Sequence, residues 1–435
     1  MSIIERFVRM DKAEKSGIIN MIIKPMSVIA GLVYTPLLLS YLGEEKYGLW
    51  ATILSFISWI NYFDVGIGNG LRNVLTTCLA QKEYKKTKKA ISTAYIVLSL
   101  ISMFIFVVIT ILVLLLNWSV VFSTKIDMRT TLFVTGFFIC INFVLALANT
   151  ILYALQLSER IAIRNFLVQC INIVGIIGIS KISSGNLVHI AILFGASQLI
   201  INVGNTVSVM KNNQNLRPSI KEYDKTTLSS ICNVGIKFFI IQLMCLLMFT
   251  VDDLLVTHYW GATQNTSFSI VNKVFNTVYT FFAAFMVPYW SGTTEALTTN
   301  NNNWIRKSLW KSIQVLGVFM LGYIILAFAF DDLVYIWLGE KLIYQTTLVP
   351  LMCLFYILYS VLNVESQFIN GTGYIDLQMI LYIVLGIANV PFSIFLGVHY
   401  GLGPVGIRLA TTILVCIADV VLAFNLKIIL RKVLR

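Results

Sequence analysis

The stretch Tyr34–Asn73, YTPLLLSYLGEEKYGLWATILSFISWINYFDVGIGNGLRN, governs the reading of the whole chain. It holds two apolar runs, one ending near Leu42 and one beginning near Tyr47, joined only by Gly43-Glu44-Glu45-Lys46. Extended to about 20 residues, each run can cross a hydrocarbon core roughly 30 Å thick at about 1.5 Å per residue. So short a connection predicts an antiparallel helical hairpin. Its second helix carries Asp64, then Gly66-Ile67-Gly68-Asn69-Gly70, then Arg72. A carboxylate there is costly in lipid and should face protein or water.

Composition extends this reading to the full chain. Of 435 residues 58% are hydrophobic and 12% charged, with mean hydropathy +0.83. A water-soluble fold needs more polar cover, so the chain reads as an all-α polytopic membrane protein. The charged segment 1–16 and the long first apolar run argue for a retained first span rather than a cleaved signal peptide. The net charge of +12 is explained by where the cations fall, without invoking nucleic acid. Lys82–Lys89, Lys211–Lys225, Arg306–Lys311 and both chain ends carry most of the 32 Lys and Arg. About 23 cations lie on the side shared by the termini and about 5 on the other, which places both termini in the cytoplasm. That requires an even number of spans.

Hydropathy gives about 12 spans: 17–42, 47–71, 90–116, 130–155, 161–180, 187–210, 228–256, 266–290, 308–330, 345–368, 377–398 and 405–427. The fifth is weakened by Arg164. Residues 211–227, polar and carrying Pro218, separate an N-terminal lobe (1–210) from a C-terminal lobe (228–435). Three motifs recur at an offset of about 216 to 220 residues. Tyr41-Leu42-Gly43 matches Tyr259-Trp260-Gly261, Tyr84-Lys85-Lys86 matches Trp304-Ile305-Arg306, and Gly185 matches Gly401 or Gly403. A six-span repeat is parallel, so the expectation is two six-helix bundles related by a pseudo-two-fold axis along the membrane normal.

Ionisable residues inside spans are the candidates for function, since buried charge is expensive. Lys24, Lys237, Lys273 and Arg408 are basic; Asp64, Asp252, Asp253, Glu365 and Asp419 are acidic. With Arg72, the cations Lys24, Lys237 and Lys273 are candidates for an anionic substrate; Asp64, Asp252 and Glu365 are candidates for ion coupling. Against this, Lys24 and Lys237 lie near helix ends and can snorkel to the headgroups. Lys273 is about seven residues, roughly 10 Å, into its span, where snorkelling is harder. Asp252 and Asp253 also fit a hydrated helix end, and Arg408 and Asp419 a structural role. The glycines after Asp64 fit close helix packing better than a phosphate cradle. Pro25, Pro36, Pro288, Pro350 and Pro391 favour kinks. The seven Cys form no CxxC pair, and His189, His258 and His399 lack metal spacing.

Tyr41-Leu42-Gly43…Tyr47-Gly48-Leu49-Trp50 followed by Asp64-Val65-Gly66-Ile67-Gly68 resembles the signature of Wzx-type polysaccharide flippases. These belong to the superfamily that also holds multidrug-and-toxin extruders and the lipid II flippase. The basic Tyr84–Lys89 loop and the Asn272-Lys273…Pro288 pattern are similar too. The resemblance spans the whole chain and implies two six-helix bundles, alternating access, and a polyprenyl-diphosphate-linked oligosaccharide moved between leaflets of the bacterial inner membrane. It implies a cationic cavity for the diphosphate head, to which Lys24 and Lys273 correspond, and no cofactor beyond coupled H+ or Na+. A polysaccharide polymerase and glycosyltransferases are the implied partners. A drug or cation extruder of the same fold is the alternative; it favours acidic and aromatic walls, against which Lys273 counts. A major-facilitator carrier is disfavoured by the long Arg72–Lys89 loop. A membrane polymerase or ligase would need a large outward loop that the spacing does not allow.

Overall fold

A computed structural model describes residues 11–60, 66–118, 126–183, 185–212, 216–338 and 342–433. Asp64 lies outside the described residues. The described secondary structure is helical, in two compact units, 1–236 and 237–435. The boundary falls inside a helix, not within 211–227, where Ile220–Glu222 forms one 3-10 turn.

The N-terminal unit contains α1 (Lys12–Leu42), α2 (Glu44–Ile60), α3 (Ile67–Ala80), α4 (Tyr84–Leu115), α5 (Arg129–Leu145), α6 (Leu147–Ala154), α7 (Ser158–Ser180) and α8 (Leu187–Asn212). The first half of α9 (Lys225–Phe249) completes it. Asp11 begins α1 by accepting a hydrogen bond from the Glu14 N–H at 2.8 Å, satisfying one otherwise unpaired donor of the first turn. Gly43 ends α1 at φ 75, ψ 167, backbone geometry that is essentially glycine-only, and α2 starts at the next residue. The Tyr41 hydroxyl lies 2.9 Å from the Ser183 hydroxyl, and Lys46 donates to the Gly185 carbonyl, tying the hairpin to the start of α8.

Helix α1 packs on α7, α8 on α5, and α4 on both α3 and α5. One apolar cluster gathers Leu38, Leu42, Trp50, Met128, Ile176 and Ile190; a second gathers Leu71, Leu75, Ile91, Leu98, Ile151 and Ile231. The glycines after Asp64 serve close packing, as the sequence suggested. A methyl group on Gly70 would lie 2.3 Å from the Ile231 carbonyl oxygen of α9, and one on Gly235 would lie 2.9 Å from that of Gly66.

The C-terminal unit contains the rest of α9, α10 (Val251–Thr298), α11 (Asn302–Phe328), α12 (Phe330–Leu338), α13 (Leu348–Thr372), α14 (Asp376–Ile394) and α15 (Pro404–Val433). Helix α10 is two arms meeting at Gly261, whose φ 83 and ψ 171 nearly reproduce Gly43. The two glycines that the repeat aligns therefore share one rare backbone conformation. The other glycines that the repeat aligns, Gly185, Gly401 and Gly403, all have positive φ, at 55°, 73° and 66°. Helix α13 packs on α10 and α15, and α14 on α15. Pro25 and Pro36 lie inside α1, Pro288 inside α10 and Pro391 inside α14, just before a π turn at Phe395–His399. Pro350 instead occupies the first turn of α13, where its missing N–H leaves no hydrogen bond unmade.

Eleven helices among the described residues are long and apolar enough to cross a membrane. The second expected span, 47–71, runs through undescribed residues, and its described part, α2, has 17 residues. The surface is that of a lipid-embedded protein: on α4 Met103, Phe104, Leu114 and Leu115 are 67 to 78% exposed. Short α12 buries Phe330 and Val334 and exposes Tyr335, Ile336 and Trp337, the pattern of a helix lying at an interface.

Candidate functional site

Three constellations inside the two units carry polar chemistry at membrane depth. The first is a buried network in the C-terminal unit. Asp252, in the first turn of α10's first arm, is fully buried beside Arg408 of α15, with Nη1 and Oδ2 3.3 Å apart. The Thr411 hydroxyl approaches both Asp252 oxygens at 3.0 and 3.1 Å and the Asn389 side-chain oxygen at 3.1 Å. The guanidinium of Arg408 is held between the rings of Phe355 (4.4 Å) and Phe268 (5.1 Å). It also donates to the Asn272 oxygen at 3.4 Å, which accepts from Tyr356 at 2.7 Å. The reading of Asp252 as a hydrated helix end is thus corrected, because helix crossing buries it against a fixed counter-charge. Asp253 does sit nearer the surface and accepts from Ser269 at 2.8 Å.

The second constellation is a pair of carboxylates with no ion pair to a cation among the described residues. Glu365 on α13 and Asp419 on α15 are each 7% exposed and interact electrostatically. Glu365 Oε2 and both Asp419 oxygens are buried and make no hydrogen bond among the described residues. Glu365 lines a cavity of about 720 Å³ between α11, α13 and α15 that also meets Arg306, Lys427 and Arg431. No described ion pair joins these cations to either carboxylate.

The third lies in the N-terminal unit, where a cavity of about 730 Å³ separates the two apolar clusters. Its wall is rich in carboxamides: Asn142 and Asn149 from α5 and α6, Gln169 from α7, and Gln198, Asn202 and Asn205 from α8. Arg164, whose charge weakens the fifth span in the hydropathy, lines this cavity, and its Nη1 is buried with no hydrogen-bond partner among the described residues. Sequence reasoning missed the cavity although a signal was present. Asn165, Gln169 and Asn172 are spaced i, i+4, i+7, as are Gln198, Asn202 and Asn205, so each triplet forms a polar stripe on one helical face.

The individual candidates fare differently. Lys24 is half-buried in α1, with no ion pair among the described residues. Arg72 is buried on α3 with its guanidinium 4.8 Å from the centre of the Tyr153 ring. Lys237, half-buried, pairs at 2.5 Å with the exposed Asp376 in the first turn of α14. Lys273, on the second arm of α10, is exposed in the isolated chain and lies 5.7 Å from the centre of the Trp337 ring of α12. It has no carboxylate partner among the described residues. Lys24 belongs to the N-terminal unit and Lys273 to the C-terminal unit.

These arrangements belong to a recognisable class. Residues 238–395 match the MatE family model, within the C-terminal unit. Over its full length the chain superposes on an outward-facing multidrug resistance MATE transporter of the MOP superfamily with a TM-score of 0.79 at 16% identity, covering 100% of this chain and 99% of that one. A MOP superfamily transporter from Pyrococcus furiosus gives 0.76 at 16% identity with the same coverage. The protein is a multi-pass membrane protein that shares the fold of the MATE transporters. Among curated proteins, a putative O-antigen transporter of Salmonella typhimurium is 22% identical over 388 residues, 85% of this chain and 88% of that protein. That pairing agrees with the superfamily resemblance drawn from the hairpin residues.

Proposed function

We propose that this transporter is a flippase, moving a polyprenyl-diphosphate-linked oligosaccharide from the inner to the outer leaflet of a bacterial inner membrane with both termini cytoplasmic. Lys273 carries the reading: an accessible ammonium in a membrane-length helix with no described carboxylate to neutralise it. A diphosphate cannot cross hydrocarbon alone, and a compact cation attracts it without the bidentate grip that would hinder release. Lys24 is a second such cation in the other unit. The O-antigen transporter relative supports the same substrate class. Glu365 with Asp419 is the proposed H+ or Na+ exchange site that resets the carrier. Asp252, held by Arg408, is not proposed for that role. Arg72 and Lys237 have the weaker claim on substrate, being engaged by Tyr153 and Asp376. The polymerase and glycosyltransferases that make and consume such a substrate are the proposed functional neighbours.

The test is delivery of lipid-linked oligosaccharide to the outer leaflet, normalised to transporter in the membrane. Lys273→Ala should abolish it, Lys273→Arg should retain part, and Lys273→Glu should be dead through like-charge repulsion. Wild-type delivery by Lys273→Glu refutes the reading. One observation favours a second reading, a cation or drug antiporter. The stacked rings of Phe355, Tyr359 and Tyr279 lie in the C-terminal unit that matches the MatE model, and aromatic faces suit organic cations. Proton-driven ethidium efflux that Lys273→Glu enhances would select it.

A further inference from the structure

The carboxamide cavity of the N-terminal unit has no part in the diphosphate or ion chemistry above, and its wall is unusual for a membrane protein. Among its described lining residues Arg164 alone is charged at neutral pH, so the wall offers no carboxylate to an organic cation. A lipid tail would strand the amides, which cost more in an apolar setting than they return. A carboxamide presents both donors and an acceptor, as a sugar hydroxyl does, so a wall of amides suits a ligand of many hydroxyls.

Part of the wall is already satisfied within the protein, and that part fixes the rest. Asn202 donates to the Asn142 oxygen at 2.9 Å, and Asn205 donates to the Asn149 oxygen at 2.7 Å. Asn142 also donates to the Gly195 carbonyl at 3.2 Å, joining α5 to α8. What remains is a mixed set of buried atoms with no hydrogen-bond partner among the described residues: the Asn205 and Gln169 oxygens, the Thr135 hydroxyl and the Arg164 Nη1. Acceptors and donors are both left over, which a single ion would not match. The rings of Phe138, Phe194 and Tyr153 complete the wall and offer flat faces to the C–H faces of sugar rings. The volume of about 730 Å³ falls within the ordinary range for ligand cavities.

We propose that this cavity is the carbohydrate subsite of the transporter: it receives the sugar chain of the lipid-linked substrate, with Arg164 supplying charged donors at one end. This rests on the flippase reading and adds which unit reads the sugar. The two are separable because Lys273 acts on the diphosphate and the amides on the hydroxyls.

The experiment uses the full-length protein in lipid nanodiscs. The probe is the free oligosaccharide released by mild acid from the host's own lipid-linked pool, titrated calorimetrically up to millimolar concentrations. Wild type should bind it. Gln198→Leu, which breaks no hydrogen bond within the protein, and Arg164→Gln should each weaken binding about tenfold, the equivalent of one lost hydrogen bond of about 1.4 kcal/mol. Gln198→Asn should recover part of the loss. Lys273→Ala should lose delivery of lipid-linked substrate while keeping wild-type binding of the free sugar. Thermal melting of each variant identifies any that fails to fold, and the other then decides. No binding by wild type at millimolar sugar, or wild-type binding by folded Gln198→Leu and Arg164→Gln, overturns the subsite. Delivery that persists in either case leaves the flippase reading standing. A wild-type protein that delivers no lipid-linked oligosaccharide overturns the flippase reading and the subsite with it.

Discussion

Removing Arg408 should be among the most damaging single changes in the C-terminal unit. Its guanidinium and the Asp252 carboxylate are 3.3 Å apart and essentially inaccessible, at 2% and 1% side-chain exposure. At an effective dielectric constant of about 20, unit charges at that separation attract by roughly 5 kcal/mol. Breaking a buried pair by deleting one partner costs about 3–5 kcal/mol, because the survivor stays buried and uncompensated. Arg408→Met keeps the packing between Phe355 and Phe268 but strands Asp252 beside Thr411. For a unit of roughly 200 residues, that corresponds to a melting-temperature loss of about 6–20 °C. The double variant Asp252→Leu, Arg408→Met buries no charge and should recover most of the loss. Thermal unfolding of the purified protein in one detergent, comparing wild type, both single variants and the double, is the assay. A single variant that melts within about 1 °C of wild type refutes the reasoning, and so does a double variant no better than the worse single.

Gly70→Ala should lower the melting temperature, since its new methyl must push back the Ile231 carbonyl at 2.3 Å. Gly48→Ala, in open space within α2, should be neutral or slightly stabilising under the same scan. Glu365→Gln and Asp419→Asn should each leave the amount of protein in the membrane unchanged yet remove the dependence of transport on the ion gradient. Full gradient dependence in both eliminates the pair as the coupling site. Asp224 caps α9, and hydrogen bonds from Thr226 and Thr227 hold its carboxyl at about 2, below the usual 3.8. Because the folded state prefers the ionised form, its contribution is complete above pH 4 and disappears as pH falls through about 2. Asp224→Asn should therefore flatten acid unfolding between pH 4 and 2, read by tryptophan fluorescence.

Much of this fold is legible because the membrane makes a coarse demand. A helix of about 20 apolar residues announces itself locally, and so does a tight turn such as Tyr41-Leu42-Gly43. The same locality explains what was not legible. Arg408 and Asp252 lie in different helices, and only packing reveals that each is the other's counter-ion, so helix-by-helix reading left one as structural and the other as a candidate for ion exchange. Glu365 stood out alone, whereas its neighbour Asp419 was set aside with Arg408 because only their shared helix was visible. Arg164 looked like a flaw in an apolar span, and only the amide stripes on α7 and α8 give it a setting. Lys273 was placed by depth from the helix end, but Trp337, reaching it from the interfacial α12, belongs to a segment that reads as loop in the hydropathy.

The shared backbone geometry at Gly43 and Gly261 also bears on how the protein is made. In both places a single residue reverses or bends the chain between two long apolar helices, so bringing them together costs almost no loop-closure entropy. Such a pair can leave the ribosome and enter the bilayer as one folded unit, hydrogen-bonded throughout, before its neighbours exist. With the termini on the cytoplasmic side, as proposed above, what must be carried through the hydrocarbon is then only the tip. For the second pair the tip is Gly261-Ala262-Thr263-Gln264, with no charge, whereas the first carries Glu44, Glu45 and Lys46, each costing about 2.5–3.5 kcal/mol at mid-bilayer. Of the two aligned hairpins, the first therefore meets the steeper electrostatic step, and the second follows with an uncharged leading edge.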